Sequence, residues 1–202
     1  KVAYLDPKYT ESLPLDVTID TAVDALSHLV EGYLSGRATS ASDLGALQGI
    51  ALWGTTISAL RRGELNQVVR TALLLASSLG GITIAQTGTT LVHALGYPLT
   101  YFHDYPHGRA NGILMTEYLR YTQTVAPERV ATVLELLDLA SIDAFGELMD
   151  SLFSQYVGKL VLNSEQIQLY ASRATLTKNI ANSLGKPSLD QLTKILEDSI
   201  IG

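Results

Sequence analysis

The chain has 202 residues, which fits one domain with a sizeable core or two small domains. It contains no cysteine, which excludes disulfides, thiolate nucleophiles and cysteine-ligated metal sites and is typical of a reducing compartment such as the cytoplasm. Its 14 Lys and Arg stand against 20 Asp and Glu, a net charge of −6 with no basic cluster beyond Arg61–Arg62, which argues against nucleic-acid binding.

The first 14 residues are the only part without a clear helical pattern. The chain begins at Lys1 rather than at a methionine, which predicts a processed chain or a fragment. Val2–Leu5 is a short strand-like run that ends at Asp6–Pro7. Because a single strand needs a partner in a sheet, we expect residues 1–14 to be a strand and connector from a missing domain.

Residues 15–202 are predicted to form a compact all-α domain of about seven to nine helices, because apolar residues recur at spacings of three and four. A loop rich in aromatic and turn residues is predicted over 96–106. Gly80–Gly81 is typical of either a helix end or a close packing point. The predicted helices span, in chain order, 20–36, 42–60, 65–79, 82–94, 107–122, 127–139, 142–157, 164–184 and 188–200.

Residues 71–103 contain no Asp, Glu, Lys or Arg, and this run exceeds the roughly 20 residues that cross a bilayer. The run nevertheless contains several Ser, Thr and Gly residues, a glutamine and a proline. Two core helices of a soluble domain explain it better than a membrane span. The N-terminus also lacks the pattern of a signal peptide, so we expect no membrane partner.

Four histidines could carry chemistry. Asp24 and His28 are four residues apart on a predicted helix, so both side chains leave one face, where they form either a metal-ligand pair or a surface ion pair. By itself, His93 is typical of a hydrogen-bonded core histidine and His107 of a polar residue at a helix start. Together the four would give three nitrogens and one oxygen, a set that suits Fe²⁺ or Zn²⁺. His103 lies in the predicted loop, and the sequence leaves its role open.

A second interpretation belongs to a different class of protein. The chain would then be a helical ligand-binding or interaction domain whose histidines are structural. It predicts scattered rings, each with its own hydrogen-bond partner, whereas the metal site predicts that the four side chains converge on one point.

Two segments resemble the metal-binding motifs of iron-containing (group III) alcohol dehydrogenases. Residues 24–33, DALSHLVEGY, are similar to that family's Asp-Ala-Leu-x-His run followed by x-x-Glu-x-Tyr. Residues 91–99, LVHALGYPL, and 106–111, PHGRAN, resemble its glycine- and histidine-rich signature, and the spacing between the two signature histidines agrees. The opening Lys1–Pro7 resembles the strand that leaves the family's nucleotide-binding domain.

The resemblance implies the helical half of a dehydroquinate-synthase-like fold, with Asp24, His28, His93 and His107 as the metal ligands. It also makes Glu31 a hydrogen-bond partner for a ligand imidazole, although the same residue reads equally well as a surface carboxylate. The implied function is the metal-binding catalytic domain of an NAD- or NADP-dependent alcohol dehydrogenase. In such an enzyme Fe²⁺, or alternatively Zn²⁺, polarises the oxygen of a small alcohol or aldehyde during hydride transfer. A homodimer is implied as well.

The chain departs from the family in two ways. Many members have a histidine that helps to relay protons four residues after the first signature histidine, whereas this chain has Tyr97, a candidate proton relay or substrate contact. The 202 residues also contain no phosphate-binding glycine motif of the G-x-G-x-x-G type. We therefore expect this chain by itself to bind metal without catalysing hydride transfer. A metal-independent reductase of the same fold is a further alternative.

Overall fold

The computed structural model describes residues 2–154 and 160–201, the side chain of residue 201 excepted. Within these two ranges the regular structure is helical, as the sequence predicts: a 3-10 helix at Pro7–Thr10 precedes a series of α-helices. The α-helices are α1 (Leu15–Tyr33), α2 (Ser40–Gly54), α3 (Ile57–Arg62), α4 (Gln67–Thr87), α5 (Leu91–His103), α6 (His107–Gln123), α7 (Pro127–Leu136), α8 (Ile142–Phe153), α9 (Ser164–Ala174), α10 (Lys178–Ala181) and α11 (Leu189–Ile201).

The N-terminal strand that we predicted at Val2–Leu5 does not form. The segment has no regular structure and leaves Val2 and Tyr4 exposed to solvent. In the described ranges, the β-pairing consists of one isolated antiparallel bridge between Ser35 and Ser183, which does not involve this segment. A strand is stable only when a neighbour accepts its backbone hydrogen bonds, and the described residues offer none there.

Helix α1 forms the centre of the domain and packs against α2, α4 and α6. It begins at Leu15, five residues before the predicted start, directly after the extended backbone of Pro14. Its apolar residues at spacings of three and four are completely buried, among them Val23, Leu26 and Val30. Burial of this face explains why the helix is long and fixed in orientation.

Helix α4 is continuous through Gly80–Gly81, so the predicted helix end there is wrong. The close packing point is correct, because a Cβ atom on Gly80 would lie 3.3 Å from both the Ala25 carbonyl oxygen and the His28 Cβ. By length and composition α4 could cross a membrane, although 28% of its most apolar window is buried in this domain. It contributes Leu73 to the core against α1 and α2, as core helices of soluble proteins also do.

Helix α5 occupies most of the segment that we predicted as a loop over 96–106. Pro98 lies inside the helix, which ends at His103 and is followed by Asp104 in a left-handed conformation (φ 50°). A proline inside a helix costs about 3 kcal/mol, and burial of Leu95 and Leu99 on either side offsets it.

The remaining helices follow the predictions with changed bounds. The predicted helix over 42–60 divides into α2 and α3, and that over 164–184 divides into α9 and α10. Helix α6 begins at His107 as predicted. The end of the helix predicted over 142–157 falls partly outside the described residues, and α8 ends at Phe153.

Gly108 brings the start of α6 against α1. A Cβ atom at this position would overlap the backbone carbonyl oxygen of Asp20, so a residue with a side chain could not approach α1 as closely. Since Asp20 lies one turn before Asp24, this contact places His107 beside the acidic face of α1.

Candidate metal centre

Helix α1 supplies two of the side chains of the site. Asp24 and His28 point from the same face, and the Oδ2 of Asp24 lies 3.9 Å from the Nδ1 of His28. Both side chains are partly buried. The i,i+4 spacing on a helix therefore produces the shared face that the sequence predicts.

His93 comes from the first turn of α5 and is the buried member of the group. Its side chain is 2% exposed. Its Nε2 lies 3.0 Å from the Nε2 of His28 and 3.7 Å from the Oδ1 of Asp24. Ligand atoms of Asp24, His28 and His93 all lie within 4.8 Å of one another, a spacing that one metal ion could bridge.

His107 reaches the group from the first residue of α6. Its Nε2 lies 3.7 Å from the Oδ1 of Asp24, and its Nδ1 lies 3.2 Å from the Thr100 hydroxyl. The Tyr97 ring stacks on this imidazole with 5.6 Å between centroids. The His107 side chain is 33% exposed and Tyr97 is 49% exposed. The group therefore opens to solvent on the side of His107 and Tyr97.

Glu31, one turn after His28 on α1, is completely buried behind His93. Its Oε2 contacts the Nδ1 of His93 at hydrogen-bond distance. Its Oε1 accepts hydrogen bonds from the backbone N–H groups of Thr90 (2.8 Å), Val92 (3.0 Å) and His93 (3.3 Å). The sequence left open whether Glu31 lies at the surface or behind a ligand; the structure shows that it lies behind His93.

Asn111 lies at the centre of the group, one turn after His107. Its Nδ2 lies 3.0 Å from the Oδ1 of Asp24 and 3.3 Å from the Nε2 atoms of both His93 and His107. The Asn111 amide nitrogen has only two hydrogens, yet it faces three atoms that can accept a hydrogen bond. Its own Oδ1 is buried without a hydrogen-bond partner, against Gly96. A site so rich in lone pairs fits a cation, and its nitrogen and oxygen donors fit Fe²⁺ or Zn²⁺.

The charges of His28, His107 and Glu31 also agree with cation binding. Burial lowers the pKa of both His28 and His107, so their rings are neutral near pH 7 and carry free lone pairs. Burial would raise the pKa of Glu31, but the neighbouring His93 and the hydrogen bonds from Thr90 lower it instead. Burial opposes a charge on His93 as well, and the Glu31 carboxylate overcomes this and raises the pKa of His93.

The four side chains predicted as a metal site therefore lie together, and the fourth histidine lies elsewhere. His103 Nε2 is 2.8 Å from the hydroxyl of Tyr170, which fastens α5 to α9. Sequence reasoning missed Thr90 and Thr100, whose contacts orient Glu31 and His107. No motif marks either threonine, because each acts only through a contact that the tertiary fold creates.

The sequence matches the model of a known family over residues 18–200, the C-terminal part of the Fe-containing alcohol dehydrogenase family. The chain belongs to this family. The family motifs that we recognised in residues 24–33 and 91–111 lie within the matched region, and the resemblance is confirmed.

Members of the Fe-containing alcohol dehydrogenase family with assigned activities are similar to this chain. The 1,3-propanediol dehydrogenase of Klebsiella pneumoniae is 32% identical over 148 residues, which cover 71% of this chain and 38% of that protein. The sulfoacetaldehyde reductase of Bilophila wadsworthia is 29% identical over 209 residues, covering 96% of this chain and 54% of that protein. The chain thus spans about half the length, or less, of the relatives that it matches.

A solved structure agrees with the same assignment. The iron-containing alcohol dehydrogenase of Thermotoga maritima is 33% identical, with a TM-score of 0.86 over 98% of this chain and 53% of its own. The all-α chain is therefore similar, in fold as in sequence, to one half of an Fe-containing alcohol dehydrogenase.

Proposed function

We propose that this chain is the metal-binding catalytic domain of an NAD- or NADP-dependent alcohol dehydrogenase, with Asp24, His28, His93 and His107 as ligands of one divalent ion. The observation that carries the proposal is the convergence of these four side chains. Ligand atoms of Asp24, His28 and His93 lie within 4.8 Å of one another, and Asp24, His93 and His107 each lie 3.0–3.3 Å from the Asn111 amide nitrogen. Scattered histidines, each with its own partner, would have favoured the structural or interaction domain. Only His103 fits that description.

We assign iron as the resident metal and zinc as the alternative. The family is defined by iron, and both ions accept three imidazole nitrogens and one carboxylate oxygen. When bound, such an ion supplies Lewis acidity toward the oxygen of an alcohol or aldehyde. Iron, which accepts more than four ligands, would keep room for that substrate beside three nitrogens and one oxygen, whereas a four-coordinate zinc would have to add a fifth ligand.

The open side of the site is where we place the substrate. Burial raises the pKa of Tyr97, so its hydroxyl keeps its proton near neutral pH. It can then donate a hydrogen bond to a substrate oxygen, whereas it exchanges protons less readily than the histidine common in the family. Relatives named for propanediol and sulfoacetaldehyde support a small alcohol or aldehyde as substrate.

The hydride carrier belongs to a separate part of the proposed enzyme. We assign residues 1–14 as the connector from a nucleotide-binding domain and residues 15–202 as the metal-binding domain. Relatives that are about twice as long support this division. A homodimer in the cytoplasm, without nucleic-acid or membrane partners, completes the proposal.

Activity measurements test the proposal directly. A longer protein that joins these 202 residues to a nucleotide-binding domain is expected to reduce short aldehydes with NADH or NADPH once Fe²⁺ or Zn²⁺ is bound, whereas the 202 residues by themselves are expected to be inactive. Turnover that persists after complete removal of metal would favour the metal-independent reductase instead. Full metal binding by a triple variant His28→Ala, His93→Ala and His107→Ala would contradict the assigned ligands.

A further inference from the structure

The side chain of Glu31 both caps helix α5 and contacts the ring of His93, two roles that usually belong to different residues. Thr90, at the N-cap of α5, makes no side-chain capping hydrogen bond. Instead its hydroxyl donates to the Oε1 of Glu31 at 2.7 Å, and the same oxygen accepts the N–H groups of Thr90, Val92 and His93. Glu31 on α1 therefore caps α5, from 59 residues away in the chain.

The other carboxylate oxygen of Glu31 faces the ring of His93. An ionised carboxylate only accepts hydrogen bonds, so the Nδ1 of His93 must carry the proton of this contact. In the neutral ring the Nε2 is then left with its lone pair, and this nitrogen faces His28 and Asp24. The capping contacts hold Oε1 in place, and this in turn fixes the position of Oε2.

We propose that Glu31 is the positioning residue of the metal centre. It locks His93 into the tautomer whose Nε2 lone pair faces the metal position, and it fixes the His93 ring to the N-terminus of α5. The inference rests on the proposed metal-binding function. The inference adds to the four ligands the buried Glu31 carboxylate, which orients His93 before a metal ion binds.

The variant Glu31→Gln separates capping from tautomer control. Four donors surround the position of Oε1, so the amide oxygen of glutamine takes that place and continues to cap α5. The amide NH₂ then faces the Nδ1 of His93 and donates to it. The ring is forced into the tautomer with a proton on Nε2, and that proton points toward the metal position.

The matched control is Glu128→Gln. Glu128 lies exposed in the first turn of α7, so this variant removes one negative charge from a helix N-terminus without touching a ligand. Any effect of net charge or of the helix dipole appears in both variants, whereas control of the His93 ring appears only in Glu31→Gln.

Two measurements on the 202-residue chain test the inference. Histidine ¹⁵N NMR of the metal-free protein at alkaline pH is expected to show the His93 proton on Nδ1 in the wild type and on Nε2 in Glu31→Gln. Competition with a chelator for Zn²⁺ is expected to give a 10- to 100-fold loss of affinity in Glu31→Gln and no loss in Glu128→Gln. Unchanged circular dichroism would show that α5 remains capped.

The failures of the two proposals are distinguishable. If the wild type binds Zn²⁺ and Glu31→Gln keeps the proton on Nδ1, or binds within twofold of wild type, the role of Glu31 is overturned and the metal centre stands. If the wild type shows the Nδ1 proton, and Glu31→Gln the Nε2 proton, but the wild type binds no metal, the tautomer control stands and the metal-dependent function is overturned.

Discussion

The two sides of the proposed metal centre are built differently. On the buried side, His93 is 2% exposed and is held by a completely buried carboxylate that also caps its helix. On the open side, His107 is 33% exposed and contacts the neutral hydroxyl of Thr100 and the partly exposed ring of Tyr97. In the proposed enzyme, the buried side would hold His93 in place before metal binds, and the open side would leave room for substrate.

Removal of the buried ligand is expected to have the largest effect. His93→Ala should lower the affinity for Zn²⁺ by more than about 100-fold, because loss of an outer partner by itself costs 10- to 100-fold. Isothermal titration or chelator competition measures this loss.

The control is His103→Ala, which removes a histidine of the same helix outside the group. It should leave metal affinity unchanged and lower the free energy of unfolding by about 0.5–1.5 kcal/mol through loss of the Tyr170 contact. If His93→Ala and His103→Ala lost metal affinity equally, His93 would not be a specific metal ligand, and this prediction would be contradicted.

Metal should also stabilise the folded chain as a whole. At a free metal concentration 100 times the dissociation constant, binding to the folded state alone adds about 2.7 kcal/mol. For a chain of this size the melting temperature should rise by about 5–11 °C in differential scanning calorimetry. The shift should disappear in His93→Ala; an equal shift in that variant would mean that the metal binds elsewhere.

The packing of α6 on α1 offers a way to disturb the open side only. Gly108→Ala should lower the free energy of unfolding by about 1–3 kcal/mol, because the new Cβ overlaps the backbone oxygen of Asp20. It should also weaken metal binding, since His107 moves away from Asp24. Chemical denaturation and Zn²⁺ titration measure the two effects.

Gly81 provides the matched glycine. It lies exposed in α4, and a Cβ there meets no atom within 4 Å. Gly81→Ala should stabilise the helix by roughly 0.5–1 kcal/mol and leave metal binding unchanged. Destabilisation by both substitutions would show that the close contact at Gly108 is not the cause.

The smallest effect is expected at the outer edge of the open side. Tyr97→Phe keeps the ring that stacks on His107 and removes only the hydroxyl, so metal affinity should change by less than about threefold. In an active longer protein, the same variant should raise the KM for aldehyde more than it lowers affinity for metal. A large loss of metal affinity would instead make Tyr97 part of the ligand set.

The sequence predicts which side chains lie together better than it predicts the helices that carry them. The i,i+4 pair Asp24 and His28 depends on local geometry alone, and its prediction is confirmed as a shared face. The start of α6 is also correct, because Pro106 and Gly108 mark it locally. Local signals fail where burial overrides them, as at Pro98, where core packing of α5 continues the helix that a proline normally ends.

Contacts between distant residues account for the other differences. The Glu31 side chain could have lain at the surface or behind a ligand, and only the packing of α1 against the start of α5 decides between them. Gly80 gives the same lesson: its sequence context fits a helix end, whereas in the structure α4 continues through it at a close approach to α1. The N-terminal strand is not formed in the described residues for a related reason, since a strand depends on a neighbour that local sequence does not specify.

The most direct test of the metal centre is anomalous X-ray diffraction from crystals of the chain loaded with Fe²⁺ or Zn²⁺. We expect one strong peak, bonded to Asp24, His28, His93 and His107 at about 2.0–2.2 Å. Elemental analysis of the same protein should give one metal ion per chain. A metal-free chain under saturating conditions, or a peak away from these four side chains, would contradict the account.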